Sequence, residues 1–424
     1  MGWVMVLMPL TLLVMGVPIF LLLLATCITA VVFFTTLPHV IVHQMVFDSL
    51  NKFPLIAVPF FIFTGDLMSR GGISTRLLRW VASMIGGFRA SLPLTSLGFA
   101  AIFGAISGAT TASVAAVGSL TYPRLRQAGY TEKFASGLIT AECALDNLIP
   151  PSIAFIIYGI ATETSVVALF AAGIVPGLVL GGIFAIYIYG SSFREGLEVR
   201  QPFTWREFLA ASREGLWSLG AILVIFGGIY SGVFSPSEAA GVACVYAIGV
   251  AAFIYREVTF RDIFDIAARS VILTATIFII VAVAGLFGWL LLISGAAGAT
   301  ANFIQHLNAP PWAVLLMINV FLLFVGCFID TGTALLVLSP LLLPIGKSIG
   351  VDPIHFGVIV VMNLTIGTFT PPFGLNIFVF QAMFKTPSAI LYAGLLPFII
   401  CALVALMLVT YIPSLSLVLL PYLL

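Results

Sequence analysis

Two pairs of stretches place polar, helix-breaking residues inside long apolar runs. One pair is CFIDTGTA (327–334) and TIGTFTPPFGLN (365–376); the other is AISGATTAS (105–113) and CALDNLIPPS (143–152). Asp, Thr, Gly and paired Pro interrupt a helix and free its backbone amides and carbonyls. Within a bilayer such groups must face protein, water or a bound ion. A carboxylate at that depth, such as Asp330, marks a site rather than a filler position. Clustered hydroxyl, amide and carbonyl oxygens suit Na⁺, and exposed helix N-termini suit an anion. One candidate cation site is therefore Ser107, Gly108, Thr110, Thr111, Asn147 and Pro151. Its counterpart is Asp330, Thr331, Gly332, Thr333, Thr368, Thr370 and Pro371. A carboxylate substrate would lie between the two, facing Ser152, Gly374 and Asn376.

The two pairs are related by a shift of 221 in residue number. Pro371 and Pro372 fall on Pro150 and Pro151, Pro344 on Pro123, Gly350 on Gly129, and Thr331 on Thr110, with no gap needed over 107–161. Each identity is weak alone; in step they indicate an internal repeat, each copy holding one helical hairpin and one broken helix. At this register Asn376 falls on Phe155, so the two sites differ chemically. Glu142 and Asp146 fall on Asn363 and Gly367. They serve a face particular to the first copy, or pair with a basic residue. Asp66 stands four residues before Arg70, the spacing of a helix-end ion pair.

The elements that position these residues follow from composition. The chain is 61% hydrophobic and 8% charged, with a net charge of +1. A soluble core cannot absorb that much apolar surface, and apolar runs recur along the whole length, so the chain is an all-α polytopic membrane protein. The charge leaves no nucleic-acid footprint. The five Cys lie in apolar runs and read as packing residues, and His39 and His43 share a helical face at an interface. The N-terminus lacks a basic region and a cleavage site, so it reads as a retained span.

Segments 1–16 and 18–34 are split by Gly16-Val17-Pro18, and 37–52 reads as an interfacial arm. Spans follow at 53–68, 166–191, 216–230, 239–255, 271–293 and 390–411, with a second arm at 256–269. Broken helices occupy 134–161 and 356–384. The hairpins occupy 92–122 and 312–345, too long for one span and too short for two. Placing Arg70, Arg76, Arg79, Arg89, Arg124, Arg126, Lys133, Arg194, Arg200 and the later basic residues inside leaves only Lys52 and Lys347 outside, a split of 15 to 2 among 17. It also makes the hairpins enter from opposite faces, the second after the loop Asn308-Ala309-Pro310-Pro311. The repeat is then inverted, with about ten spans and both termini outside. The resulting division is 1–52 as N-terminal spans and arm, 53–191 as first copy, 192–269 as central scaffold, and 270–424 as second copy.

The stretches GAISGATTASVAAVGS, AECALDNLIPPS, DTGTALLVLSPLLLPI and TPPFGLN, with the opening FPLIAVPFFIFTGDLM, resemble the large membrane subunit of tripartite ATP-independent periplasmic (TRAP) transporters. The likeness runs over essentially the whole chain. It implies a sodium-driven importer of organic acids in a bacterial inner membrane, with an elevator-like moving domain of hairpins and broken helices. It also implies a small four-span membrane partner, separate from this chain, and a periplasmic substrate-binding protein. The residues of the two oxygen-rich sets carry over as the family's hairpin-tip and break positions.

Three other classes compete. An intramembrane aspartyl protease would use Asp146 and Asp330 as its acid pair, but neither context has a Gly-x-Gly-Asp pattern. A channel needs a continuous polar path, whereas polarity here concentrates at mid-depth. A stand-alone sodium/anion symporter would share the architecture and dispense with the binding protein.

Overall fold

The computed structural model describes residues 1–36, 38, 40–195, 203–295 and 309–423. Leu37, His39, Arg200 and Asn308, named above, lie outside them, as does the side chain of Arg194. The described chain is built from helices. The first are α1 (Gly2–Val14), α2 (Ile19–Phe34) and the arm α3 (Val40–Leu50). A short 3₁₀ turn leads into α4 (Ala57–Arg70), then α5 (Ile73–Ile85). The first hairpin is α6 (Ser91–Ser107) and α7 (Thr110–Gln127); the first broken helix is α8 (Glu132–Glu142), a 3₁₀ turn at Cys143–Asn147, and α9 (Ile153–Thr162). Next come α10 (Val166–Glu195), α11 (Trp205–Tyr230), α12 (Pro236–Gly249) and α13 (Phe260–Ile293). The second hairpin is α14 (Pro311–Gly326) and α15 (Thr331–Ser348), and the second broken helix is α16 (Pro353–Gly367) and α17 (Leu375–Phe384). Helix α18 (Ser388–Tyr411) precedes two short C-terminal turns. Among the described residues, seven helices are long and apolar enough to cross a membrane; the broken helices reach that length only as pairs of halves.

The shift of 221 holds from the hairpin tips to the start of the second broken helix. Helix α7 spans Thr110–Gln127 and α15 Thr331–Ser348; both follow the same shift at each end. Thr131 caps α8 by accepting from the Phe134 amide, and Asp352 caps α16 by accepting from the Ile354 and His355 amides. Beyond the break the shift becomes 222: α9 begins at Ile153 and α17 at Leu375, and α10 begins at Val166 and α18 at Ser388. The gapless alignment is therefore corrected. One extra residue enters the second break, in the Phe373–Gly374 turn, so Asn376 corresponds to Ala154 rather than Phe155, and Gly374 to Ser152.

A second difference concerns the arm at 256–269. It does not end before the next span: α13 runs unbroken through 34 residues, about 51 Å at 1.5 Å per residue. Nothing between Phe260 and Ile293 breaks a helix, and Thr259 opens it with a capping box to Asp262. Its charged residues, Arg261, Asp262, Asp265 and Arg269, all fall in the first turns, so the helix carries both the polar arm and the apolar span.

The helices pack in two sets, joined where α6 lies on α5 and α15 on α13. Helices α4 and α5 pack on α11, α12 and α13. Arg79 joins α5 to α11 through Glu207 (2.9 Å) and Glu214, and the Trp80 indole donates to Ser212 at 3.2 Å. Arg76 reaches Glu257 at 2.6 Å and lies 3.8 Å above the Tyr255 ring. The broken helices pack instead on the hairpins and on each other: α9 on α15, α16 on α14, and α7 on α17, where Tyr122 meets Phe380 and Phe384. Helix α8 lies against α18, and the crossing is backbone on backbone at Gly137 and Gly394. Close approach through small residues is how apolar helices gain contact when lipid competes equally for side chains.

A Cβ on Gly137 would overlap the Gly394 carbonyl, whereas one on Gly182 meets nothing within 4 Å. Gly137→Ala should therefore lower stability by about 1–3 kcal/mol, the usual cost of overpacking, and Gly182→Ala should leave it unchanged or higher. Thermal unfolding of the two variants in detergent checks the contrast.

Candidate functional site

The two hairpin tips and the two helix breaks meet at one cavity of about 250 Å³. The first tip contributes Gly108, Thr110 and Thr111, and its break Asn147. The second tip contributes Asp330, Thr331, Gly332 and Thr333, and its break Thr368. Ile153, Ala154 and Ile157 of α9 form one apolar wall, and Leu273, Thr276, Ile277 and Ile280 of α13 another.

Local chemistry explains why the tips hold their shape. At the first tip Gly108 adopts φ 62°, ends α6 by donating its amide to the Gly104 carbonyl, and lies against the Pro151 carbonyl and Ile153. A left-handed residue under that packing has to be Gly. Helix α7 then starts at Thr110 with no side chain capping it. At the second tip Asp330 is the cap of α15: Oδ2 accepts from the Thr333 amide at 2.9 Å and Oδ1 from the Thr333 hydroxyl at 2.6 Å. The neighbouring Thr331 hydroxyl is buried and makes no hydrogen bond within the protein. Two helix N-termini thus point their first amides at the same space, one closed by a carboxylate and one open.

The breaks are tied across the copies. Asn147 Nδ2 donates to the Thr365 hydroxyl at 3.1 Å, and Asn376 Nδ2 reaches the Thr140 carbonyl at 3.5 Å. Thr368 donates its hydroxyl to the Thr365 carbonyl at 2.6 Å, and its own carbonyl accepts from the Asn376 amide at 2.9 Å. Gly326 and Gly367 pack backbone to backbone, seating the second hairpin on the second break.

Of the residues named from the sequence, nine line the cavity and seven do not. Ser107 is buried behind the tip against Gly65. Pro151 supports Gly108 through its carbonyl. Ser152 is fully buried and caps α9, donating to the Asn147 carbonyl at 2.7 Å and accepting from the Phe155 amide. Thr370 bonds back to the Ile366 carbonyl at 2.8 Å, next to Pro371; Gly374 is pressed on the Thr368 carbonyl; Asn376 is fully buried. The substrate-facing trio Ser152, Gly374 and Asn376 therefore stands behind the cavity wall. The α13 wall was not foreseen; the one signal for it is the pair of hydroxyls Thr274 and Thr276 in an apolar run, of which Thr276 lines the cavity.

Two ion-pair readings are corrected. Among the described residues, no basic side chain pairs with Glu142 or Asp146; both are fully buried. Asp66 accepts from the Ser270 hydroxyl of α13 at 3.0 Å rather than contacting Arg70, because the helix packs that face on α13.

A many-helix membrane fold whose paired breaks bring a few hydroxyl, amide and carboxylate groups to one largely apolar cavity is the architecture expected of a transporter. Residues 4–415 match the family described as "Tripartite ATP-independent periplasmic transporter, DctM component", and the chain belongs to that family. It is 39% identical to the C4-dicarboxylate TRAP transporter large permease protein DctM of Pseudomonas aeruginosa, over 88% of this chain and 87% of that one. It is 34% identical to the sialic acid TRAP transporter large permease protein SiaM of Vibrio cholerae, over 89% and 88%. The fold is similar to the crystal structure of the Alcanivorax borkumensis YdaH transporter, with a TM-score of 0.67 at 14% identity, covering 95% of this chain and 98% of that one. The chain is thus a multi-pass transport protein and not an enzyme.

Ser152→Ala removes the α9 cap. It should cost about 1 kcal/mol of stability, read as a lower unfolding temperature in detergent.

Proposed function

We propose that this chain is the large permease of a sodium-coupled importer for an organic acid anion in a bacterial inner membrane. Two relatives are named for organic acids, a C4-dicarboxylate and sialic acid. The observation that carries the reading is the convergence of both tips and both breaks on one cavity, where Asp330 is the only carboxylate among the described lining residues. Na⁺ would take oxygens from Asp330, Thr331, Thr333 and Thr368 on one side, and from Thr110, Thr111 and Asn147 on the other. The uncapped start of α7 offers its free amides to the substrate carboxylate.

The hairpins and broken helices, which pack on one another, form the moving element. They carry the tips and breaks past a scaffold that includes α11, α12 and α13, whose α13 face closes the cavity in this structure. Their matched boundaries support an inverted repeat, with both termini on the outer face. A small four-span subunit would brace the scaffold, and a periplasmic binding protein would deliver the anion.

Asn caps a helix as well as Asp does, so Asp330→Asn leaves α15 folded and removes only the charge. Losing a charged contact of about 1.5–3 kcal/mol should raise the Na⁺ concentration for half-maximal uptake roughly ten-fold or more. Thr331→Ala should act in the same direction and more weakly. The measurement is uptake of a radiolabelled C4-dicarboxylate or sialic acid into proteoliposomes holding the chain and its two partners, across a Na⁺ series. Unchanged Na⁺ dependence in both variants would overturn the site, and equal uptake without the binding protein would favour a stand-alone symporter.

A further inference from the structure

We propose, building on the anion-importer reading, that a second cavity next to the transport cavity is an outer subsite for the substrate carboxylate, where the arriving anion takes Lys52 in exchange for Glu163. The second cavity measures about 310 Å³. It lies on a seam between the two sets of helices. The arm α3 lends Asp48 and the adjoining Lys52, α13 lends Trp289, and the end of α9 lends Glu163.

The two cavities are stacked and share Leu336 of α15. From the first to the second, α9 advances from Ile157 to Ile160, α13 from Ile280 to Ala284, and α15 from Leu336 to Pro340. Each step is about one helical turn. The three helices advance the same way, so the second cavity stands one layer beyond the first, on the side of Lys52. That residue is one of the two basic side chains that the charge asymmetry leaves on the outer face.

Lys52 is the one basic side chain among the described lining residues, and its ammonium stands 3.8 Å from Glu163 Oε1. That separation is too long for a hydrogen bond, and the Glu163 side chain is 85% exposed. Among the described residues, Lys52 forms no ion pair with Asp48. The ammonium keeps its donors for a closer acceptor, and a pair so open to water is weak enough to exchange. Asp48 and Glu163 hold the affinity down, so an anion enters by competing with them. The partners of the pair belong to different units. The arm is seated on α13, where a Cβ on Gly285 would overlap the Ser49 hydroxyl, whereas Glu163 ends α9. Glu163 is held there at φ 56°, a left-handed cap for which helices ordinarily use Gly. The charge, rather than the turn, calls for an acid at that position. A carboxylate that binds Lys52 displaces Glu163 and frees α9 from the arm, so the anion loosens the seam across which the moving element slides.

The probe is the acid, a C4-dicarboxylate or sialic acid, that wild-type proteoliposomes take up with both partners present. Its binding is read from Trp289 fluorescence in the chain purified with its small subunit and without the binding protein, with Trp289→Phe giving the background. Lys52→Gln should weaken binding about two- to five-fold, the worth of an exposed ion pair, and Glu163→Gln should tighten it by a similar factor. The double variant should bind no better than Lys52→Gln alone, because no ammonium is left to release. Lys347→Gln, at the other outer basic residue, should change nothing. Shifts of the same sign in the two single variants would make the pair only a latch between the units and overturn the subsite. A Trp289 response that is absent, or indifferent to Lys52, would overturn it too. Uptake of neither acid by the wild type would overturn the importer reading and the subsite with it, whereas normal uptake beside those binding results strikes the subsite alone.

Discussion

The structure depends on one constraint: a helix interrupted within a bilayer must find partners for its freed backbone without help from water. Here the interruptions satisfy one another. The first tip rests on the first break, Gly108 against the Pro151 carbonyl, and the second hairpin rests on the second break through Gly326 and Gly367. Side chains complete the work: Ser152 takes the Asn147 carbonyl, Thr368 takes the Thr365 carbonyl, and Asn147 reaches across to Thr365. The Thr331 hydroxyl, which no neighbour claims, is left beside the cavity. Binding chemistry and fold stability therefore draw on the same few residues: Asp330, Asn147 and Thr368 each hold a local hydrogen bond and also line the cavity.

That overlap bears on what could be read from the sequence. Breaks advertise themselves, because Pro-Pro, Gly and Asp are rare in apolar runs, and hairpin boundaries repeat in step. The 221-residue register relates α7 to α15 at both ends, although these helices run on past the expected 122 and 345 to Gln127 and Ser348. The register could not show the extra residue at Phe373–Gly374, since a one-residue slip leaves both Pro-Pro pairs aligned and alters only the residues after them. Nor could residue type tell capping from lining. Ser152 and Thr110 are both hydroxyl residues beside a break, yet one is spent on α9 and the other faces the cavity.

Two further features escaped for the same reason: they belong to surfaces between distant elements. The α13 wall of the cavity is apolar, so its residues resemble any lipid-facing stretch until α13 is set beside α15. Glu142 and Asp146 invited pairing with a basic residue, because burial of both without one is the rarer arrangement. Asp146 fits where Gly104 has no side chain, and Glu142 is held by the Ser96 hydroxyl.

The crossing of α8 and α18 at Gly137 and Gly394 has a mechanical meaning. Where side chains separate two helices, rotamer changes can absorb a small slide between them. Here main chain touches main chain, and no such cushion exists. The two helices are pinned like links sharing a rivet, so any displacement of α8 carries α18 with it.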